Sequence, residues 1–218
     1  MKNYAKSGDT TTTFISGGRW DKIMNEIKVG DYILLSFGHN DEGQNVSEQE
    51  YKANMEKFAA EAKAHGANVI MFTPVARRTQ GLDGTAYNCF NLNNHMQSMK
   101  EVCSANGFPL IDMTQLSTEY LQEIGDSASE RLYMMDLEAN ASGYDWDSYP
   151  NSRFKPGTYN DESTVRYEGD NTHFTVYGAN VYAQMLAKEI KKADVRLSQY
   201  VNDMPVQAQP AQSTEPAA

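Results

Sequence analysis

Three short apolar runs alternate with helix-length amphipathic patterns, and this alternation restricts the possible folds more than any other feature of the chain. Residues 31–37, Asp-Tyr-Ile-Leu-Leu-Ser-Phe, are entered from Gly30 and left at Gly38, and residues 68–72 and 108–113 form two further runs of the same kind. Short apolar runs bounded by glycine read as buried strands. Between them, residues 47–64 place Tyr51, Met55, Phe58, Ala59 and Ala62 on one helical face, and residues 91–106 do the same with Met96, Met99 and Val102. Gly66 and Gly107 stand where a C-terminal glycine is expected. Strands separated by helices of this length cannot be hairpins and pair in parallel, so the expected fold is α/β with a sheet covered on both faces.

The chain has 218 residues, enough for one domain that buries roughly 70% of its unfolded surface without a disulfide or zinc staple. We expect that domain over residues 1–200 and a Pro/Gln/Ala-rich tail over 201–218, whose composition is that of a disordered terminus or linker. The two cysteines, Cys89 and Cys103, show no CxxC spacing and form either one bridge or two buried thiols. With 19 Lys+Arg against 29 Asp+Glu the formal charge is −10, and no basic cluster exceeds Lys191-Lys192, which argues against a nucleic-acid partner. No apolar stretch approaches the roughly 20 residues of a membrane helix, so no membrane partner is expected. The opening Met1-Lys2-Asn3-Tyr4-Ala5-Lys6 is polar and reads like the middle of a domain.

Periodicity stops over residues 139–169, which are rich in Tyr, Asp, Asn, Ser, Gly and Pro. A stretch this long is either a functional loop or an excursion packed on its own aromatics. Tyr144, Trp146, Tyr149, Phe154, Tyr159 and Tyr167 supply aromatic planes suited to a sugar-binding rim. Beyond it, Val176, Ala179, Val181, Met185, Leu186 and Ile190 trace a last amphipathic helix.

Two motifs carry chemistry. In Asp170-Asn171-Thr172-His173, read as a turn, the carboxylate can take the ring's Nδ1 proton and leave Nε2 as a general base, although DxxH also arises by chance. Gly38-His39-Asn40-Asp41 follows the first strand run, at the sheet end where ligands bind in parallel α/β folds. There Asn40 either aims its amide at a developing oxyanion or, with Asp41, caps the local structure. Arg77 and Arg78 follow the second run and either pair with a substrate carboxylate at the rim or neutralise nearby acidic residues.

Taken together, Phe37-Gly38-His39-Asn40-Asp41 and Asp170-Asn171-Thr172-His173-Phe174, with Gly178 beyond, resemble the SGNH hydrolases, specifically the rhamnogalacturonan acetylesterase branch. Supporting stretches are Asn3-Tyr4-Ala5-Lys6-Ser7-Gly8 leading to Thr13-Phe14-Ile15 and Gly18-Arg19-Trp20, then Thr73-Pro74-Val75-Ala76-Arg77-Arg78, and Phe108-Pro109-Leu110-Ile111-Asp112. The resemblance implies a three-layer α/β/α sandwich around a mostly parallel sheet of about five strands, flavodoxin-like in architecture. It implies His173 as catalytic base, Asp170 as its orienting partner, and Asn40 with the Gly8 backbone as oxyanion donors. His39, Arg77 and Trp146 are expected to contact substrate, an O-acetylated pectic polysaccharide or oligosaccharide. No metal or organic cofactor is implied.

The chain departs from the family at one point. Relatives begin with a strand ending in Gly-Asp-Ser, whose serine is the nucleophile, whereas this sequence opens at what resembles the second block, so the first strand and the nucleophile are expected to be missing. Two strings imitate the block. Gly8-Asp9-Thr10 lacks a preceding apolar strand, and Gly125-Asp126-Ser127 follows a helical pattern that Gly125 would close. Thr10 and Ser127 are the substitute nucleophiles to weigh, and Asp9 stands where relatives often carry a basic residue. An absent first strand would leave an unpaired sheet edge and an apolar slot. The chain is then either an acetylesterase lacking its amino end, an SGNH esterase for another acyl ester, or an inactive carbohydrate-binding remnant. The substrate class points to an exported bacterial protein.

Overall fold

The computed structural model describes residues 1–78, 93–134 and 170–202, and its three expected strands form one parallel sheet in the order β1 (Tyr32–Leu35), β2 (Asn68–Phe72), β3 (Leu110–Ile111). Cys89, Trp146, the aromatic stretch 139–169 and the tail from 203 onward lie outside the described residues. Tyr32 pairs with Asn68 and Leu35 with Met71, while Met71 and Phe72 pair with Leu110 and Ile111.

Alternation along β2 divides the core. Val69 and Met71 enter one apolar cluster and Ile70 the other, so the sheet is buried on both sides. The first cluster is closed by α1 (Thr11–Ser16), α2 (Arg19–Glu26), α4 (Glu48–Ala64) and α5 (Asn93–Asn106), through Phe14, Trp20, Tyr51, Met55, Phe58, Met99 and Val102. The second is closed by α6 (Met113–Ile124) and α8 (Val176–Ala193), through Met113, Leu121, Tyr182 and Ile190. These are the three layers of an α/β/α sandwich. Between them in chain order lie α3 (His39–Gly43) and α7 (Asp126–Ser129), followed by a 3-10 turn, Glu130–Leu132; α9 (Val195–Ser198) ends the described chain.

Local chemistry sets the helix ends. Ser47 accepts the Glu50 N–H at the start of α4, Asp112 that of Gln115 in α6, and Thr175 that of Gly178 in α8. All five residues read onto the inner face of α4 are fully buried. Phe58 meets Trp20, Phe14 and Phe37 with ring centroids 4.5, 6.3 and 5.6 Å away, which joins α1, α2 and α4 to the end of β1. Cys103 is a buried free thiol, and burial pushes its pKa up to about 12.

Three features differ from the sequence reading. Residues 170–174 form a strand, β5 (Asp170–Phe174), rather than a turn; it pairs antiparallel with a two-residue strand, β4 (Tyr133–Met134), too short to leave a periodic signal. The buried face of α8 is centred on Gly178, Tyr182 and Ile190, while Val176 is 46% exposed. Tyr182 can occupy the core because its hydroxyl meets that of Tyr133 at 2.9 Å. Leu34 of β1 remains 39% exposed, so the second helical layer leaves that part of the sheet uncovered.

Gly178 is the closest approach between layers. A Cβ placed there would overlap the carbonyl oxygen of Leu132, which also accepts the Thr175 N–H at 3.1 Å. Gly178→Ala is therefore expected to lower unfolding free energy by about 2–3 kcal/mol, read from urea midpoints. An unchanged midpoint would mean that α8 can move off β4 without cost.

Candidate active site

Parallel pairing brings the ends of β1 and β2 to one edge of the sheet, and both carry site residues. The chain leaves β1 through Gly38, whose φ of 149° favours glycine, and starts α3 at once with His39, Asn40 and Asp41. Asp41 is fully buried and works as a bolt. Its Oδ1 accepts both the backbone N–H of Thr11 at 2.8 Å and the Thr11 hydroxyl at 2.7 Å, tying the start of α1 to α3. Burial raises the Asp41 pKa, and the Thr11 bonds oppose that shift.

The segment before α1 is held against the same helix. Asn40 Nδ2 donates to the Asp9 carbonyl at 3.2 Å and Gln44 Nε2 to the Gly8 carbonyl at 2.8 Å. Gly8 has φ 84°, a conformation that disfavours a side chain, and a Cβ there would face open space. Among the described residues no acceptor takes the Gly8 N–H. Asp9, unexpected by comparison with relatives, pairs with Arg19 Nε at 3.3 Å and Lys6 Nζ at 3.4 Å.

His39 Nε2 lies 3.0 Å from the Val75 carbonyl, which can only accept, so this nitrogen carries the proton. Burial, followed by the nearby Arg77 cation, pushes the His39 pKa down to about 4; the Val75 bond opposes this, and His173 adds a smaller repulsion. That repulsion brings His173, on β5, into the electrostatic neighbourhood of α3. His173 itself is exposed. Asp170 is the first residue of β5, and its expected pairing with His173 lies outside the described side chains.

Arg77 Nη1 pairs with Glu42 Oε2 at 3.0 Å, and Nη2 approaches the His39 carbonyl at 3.5 Å, so Arg77 shares the rim with α3. Arg78 does not reach a rim. Its side chain is fully buried and spends its donors on Ser129, Asp126, Glu130 and Asn171. A charged pair in a loop reads as surface from sequence alone, and its partners lie about 50 and 93 residues away in the chain. Gln44 left no signal.

Of the two substitute nucleophiles, Thr10 is buried and caps α1. Its Oγ1 accepts the Thr13 N–H at 3.0 Å while Thr13 Oγ1 takes the Thr10 N–H at 2.8 Å. Ser127 sits in α7, directly after Gly125, whose N–H closes α6 on the Leu121 carbonyl at 3.0 Å. Gly8, Asn40, His39 and Arg77 thus gather around α3, and the charge of His173 is felt at His39. The Thr10 side chain is spent on its cap with Thr13, and the side chain of Ser127 lies outside the described residues.

The low His39 pKa has a consequence for stability. The unfolded chain takes up a proton near the ordinary value of 6.5, whereas the folded site resists protonation until about 4. Unfolding therefore binds a proton in this window, and stability falls as pH drops through it. Wild type is expected to lose about 1–3 kcal/mol more than His39→Gln between pH 7 and pH 4.5, measured by urea unfolding at both pH values. Equal losses would contradict a neutral buried imidazole.

Comparison with known proteins bears on the family and the fold. The description of the GDSL-like Lipase/Acylhydrolase family matches residues 1–146. Rhamnogalacturonan acetylesterase RhgT of Bacillus subtilis strain 168 is 27% identical over 204 residues, spanning 92% of this chain and 78% of RhgT. An uncharacterized esterase of the same organism, YxiM, is 32% identical over 149 residues, 66% of this chain and 39% of YxiM. The crystal structure of YxiM superposes with a TM-score of 0.65 at 26% identity, covering 88% of this chain and 45% of that one, so this chain spans under half the length of that protein. The acetylxylan esterase Axe2 of Geobacillus stearothermophilus shares the fold, with a TM-score of 0.54 at 16% identity over 84% of this chain and 68% of Axe2. The sandwich, the Gly38–Asp41 turn at the end of β1 and the family match together establish that this chain belongs to the GDSL-like lipase/acylhydrolase family of ester hydrolases, with the rhamnogalacturonan acetylesterases among its relatives.

Proposed function

We propose that this chain carries the base and oxyanion half of a carbohydrate acetylesterase acting on O-acetylated pectic polysaccharide, and that the attacking serine lies outside these 218 residues. The observation that carries the reading is a Gly8 N–H that no described residue accepts, on a segment whose Asp9 carbonyl is held by Asn40, with His173 of β5 electrostatically coupled to His39 in the same helix as Asn40. Donors fixed before the reaction are what a tetrahedral acyl intermediate requires, because they stabilise charge without having to reorganise. The amide nitrogen of Asn40 has two hydrogens; Asp9 takes one, and the other is assigned to the oxyanion.

In this reading His173 removes the proton of the serine hydroxyl as it attacks the acetyl carbonyl, and Asp170 steadies the imidazolium. The carbonyl oxygen collects negative charge between Gly8 and Asn40. As the bond from the acetyl carbon to the sugar breaks, His173 protonates the departing sugar oxygen, which leaves as a free hydroxyl, and a water activated by the same ring releases acetate from the acyl-enzyme. His39, locked as its neutral Nε2–H form, lines the substrate side together with Arg77, and Trp146 is assigned to the sugar rim. The relatives named as rhamnogalacturonan acetylesterases support the pectic substrate. A polymer of this kind is met outside the cell, which fits an exported protein.

Acetate release from acetylated rhamnogalacturonan tests the reading, comparing this chain, a form extended upstream, and His173→Ala in each. Turnover is expected in the extended form alone, with kcat lowered at least about 10³-fold by His173→Ala and about 10²-fold by Asn40→Ala. Turnover by the short chain that survives His173→Ala would overturn it. Arg77→Ala is expected to raise KM for acetylated rhamnogalacturonan about fivefold, as for a loss of roughly 1 kcal/mol at a part-exposed ion pair, and to leave acetylated xylan unaffected. Equal effects on the two polymers would remove Arg77 from substrate recognition.

A further inference from the structure

We infer that Arg78 is a positioning residue that sets His173 through Asn171, an inference that rests on His173 being the base. The backbone N–H of Arg78 donates to the Asn171 carbonyl at 2.8 Å, and its Nη1 donates to Asn171 Oδ1 at 3.1 Å. One residue of the loop after β2 therefore holds both the main chain and the side chain of the residue two places before His173. The two bonds fix position and rotation together, which neither would do alone.

The rest of the guanidinium is anchored on the opposite side. Nε donates to Ser129 Oγ at 2.8 Å, and Nη2 to Asp126 Oδ1 at 2.7 Å and to Glu130 Oε1 at 3.2 Å. Arg78 is fully buried, yet the side chains of Asp126 and Glu130 are 59% and 47% exposed. Burying a guanidinium is costly, and half-solvated carboxylates recover only part of that cost. As a stability device this would be a poor choice beside an apolar residue of similar volume. As a rigid planar fork it joins α7, the 3-10 turn and β5 in one geometry that a lysine cannot reproduce. Tyr133 completes the clamp by donating to the Ala76 carbonyl at 2.5 Å, which holds β4 to the same loop.

The test separates positioning from folding. Asn171→Ala removes one of the two links to β5 and leaves the bonds of Arg78 to Ser129, Asp126 and Glu130 in place, whereas Asn171→Asp restores an acceptor at the same point. In the 218-residue chain, Asn171→Ala and Arg78→Lys are expected to shift the His173 ring resonances in a ¹³C–¹H spectrum while the melting temperature of Asn171→Ala stays near wild type, and Asn171→Asp is expected to return them. In the form that turns over, Asn171→Ala should lower kcat about 10- to 100-fold with KM nearly unchanged, the signature of a displaced catalytic group, and Asn171→Asp should recover most of it. Unmoved ring resonances, or a kcat loss no larger than the loss of folded protein, would overturn the inference. If no form releases acetate, the esterase reading fails, and the ring resonances alone decide the role of Arg78.

Discussion

The parallel pairing of β1 with β2, Tyr32 to Asn68 through Leu35 to Met71, decides where His39, Asn40 and Arg77 can sit. Because the strands run the same way, the loops that leave them emerge on one side, and each loop begins within three residues of its strand's end. A slip of one residue would turn Val69 and Met71 out of the cluster under α4 and α5 and into the one that Ile70 fills, mispacking both layers, so the same pattern that packs the core also fixes the strand ends. The placement of these candidate groups is a by-product of hydrophobic register.

Two buried ionic groups then refine what the sheet places coarsely. Asp41 ties the Gly8–Thr11 segment to α3, and Arg78 ties β5 to the loop after β2. Asp41 spends one oxygen on two donors of Thr11 and accepts a raised pKa in return. Specificity of arrangement, rather than stability, is what such groups supply when their partners are complete.

Much of this was legible in the sequence because burial and glycine leave local marks. The inner face of α4 was readable from five apolar positions at helical spacing, and the site at the end of β1 from the glycine that closes the run. Other features left none. Helix α1 is a run of threonines with poor helix propensity, stabilised by a reciprocal Thr10–Thr13 cap that no period reveals. Strand β4 is two residues long, so the DxxH segment read as a turn until its partner was known. Arg78 belongs to a charged dipeptide, and only the three-dimensional convergence of Ser129, Asp126, Glu130 and Asn171 distinguishes it from its exposed type. Asp9, where the resemblance implies a basic residue, is held in place by Lys6 and Arg19.

The proposed convergence of the Gly8 N–H, the Asn40 amide and the His173 ring on one site is open to a direct measurement that needs no nucleophile. Acetate, the product of the proposed reaction, can be titrated into the labelled 218-residue chain while the Gly8 backbone amide, the Asn40 side-chain amide and the His173 ring are followed by NMR. The account predicts that all three signals move along curves described by a single dissociation constant. Signals that move with different constants, or a Gly8 amide that does not respond while the others do, would show that these groups do not share an oxyanion site.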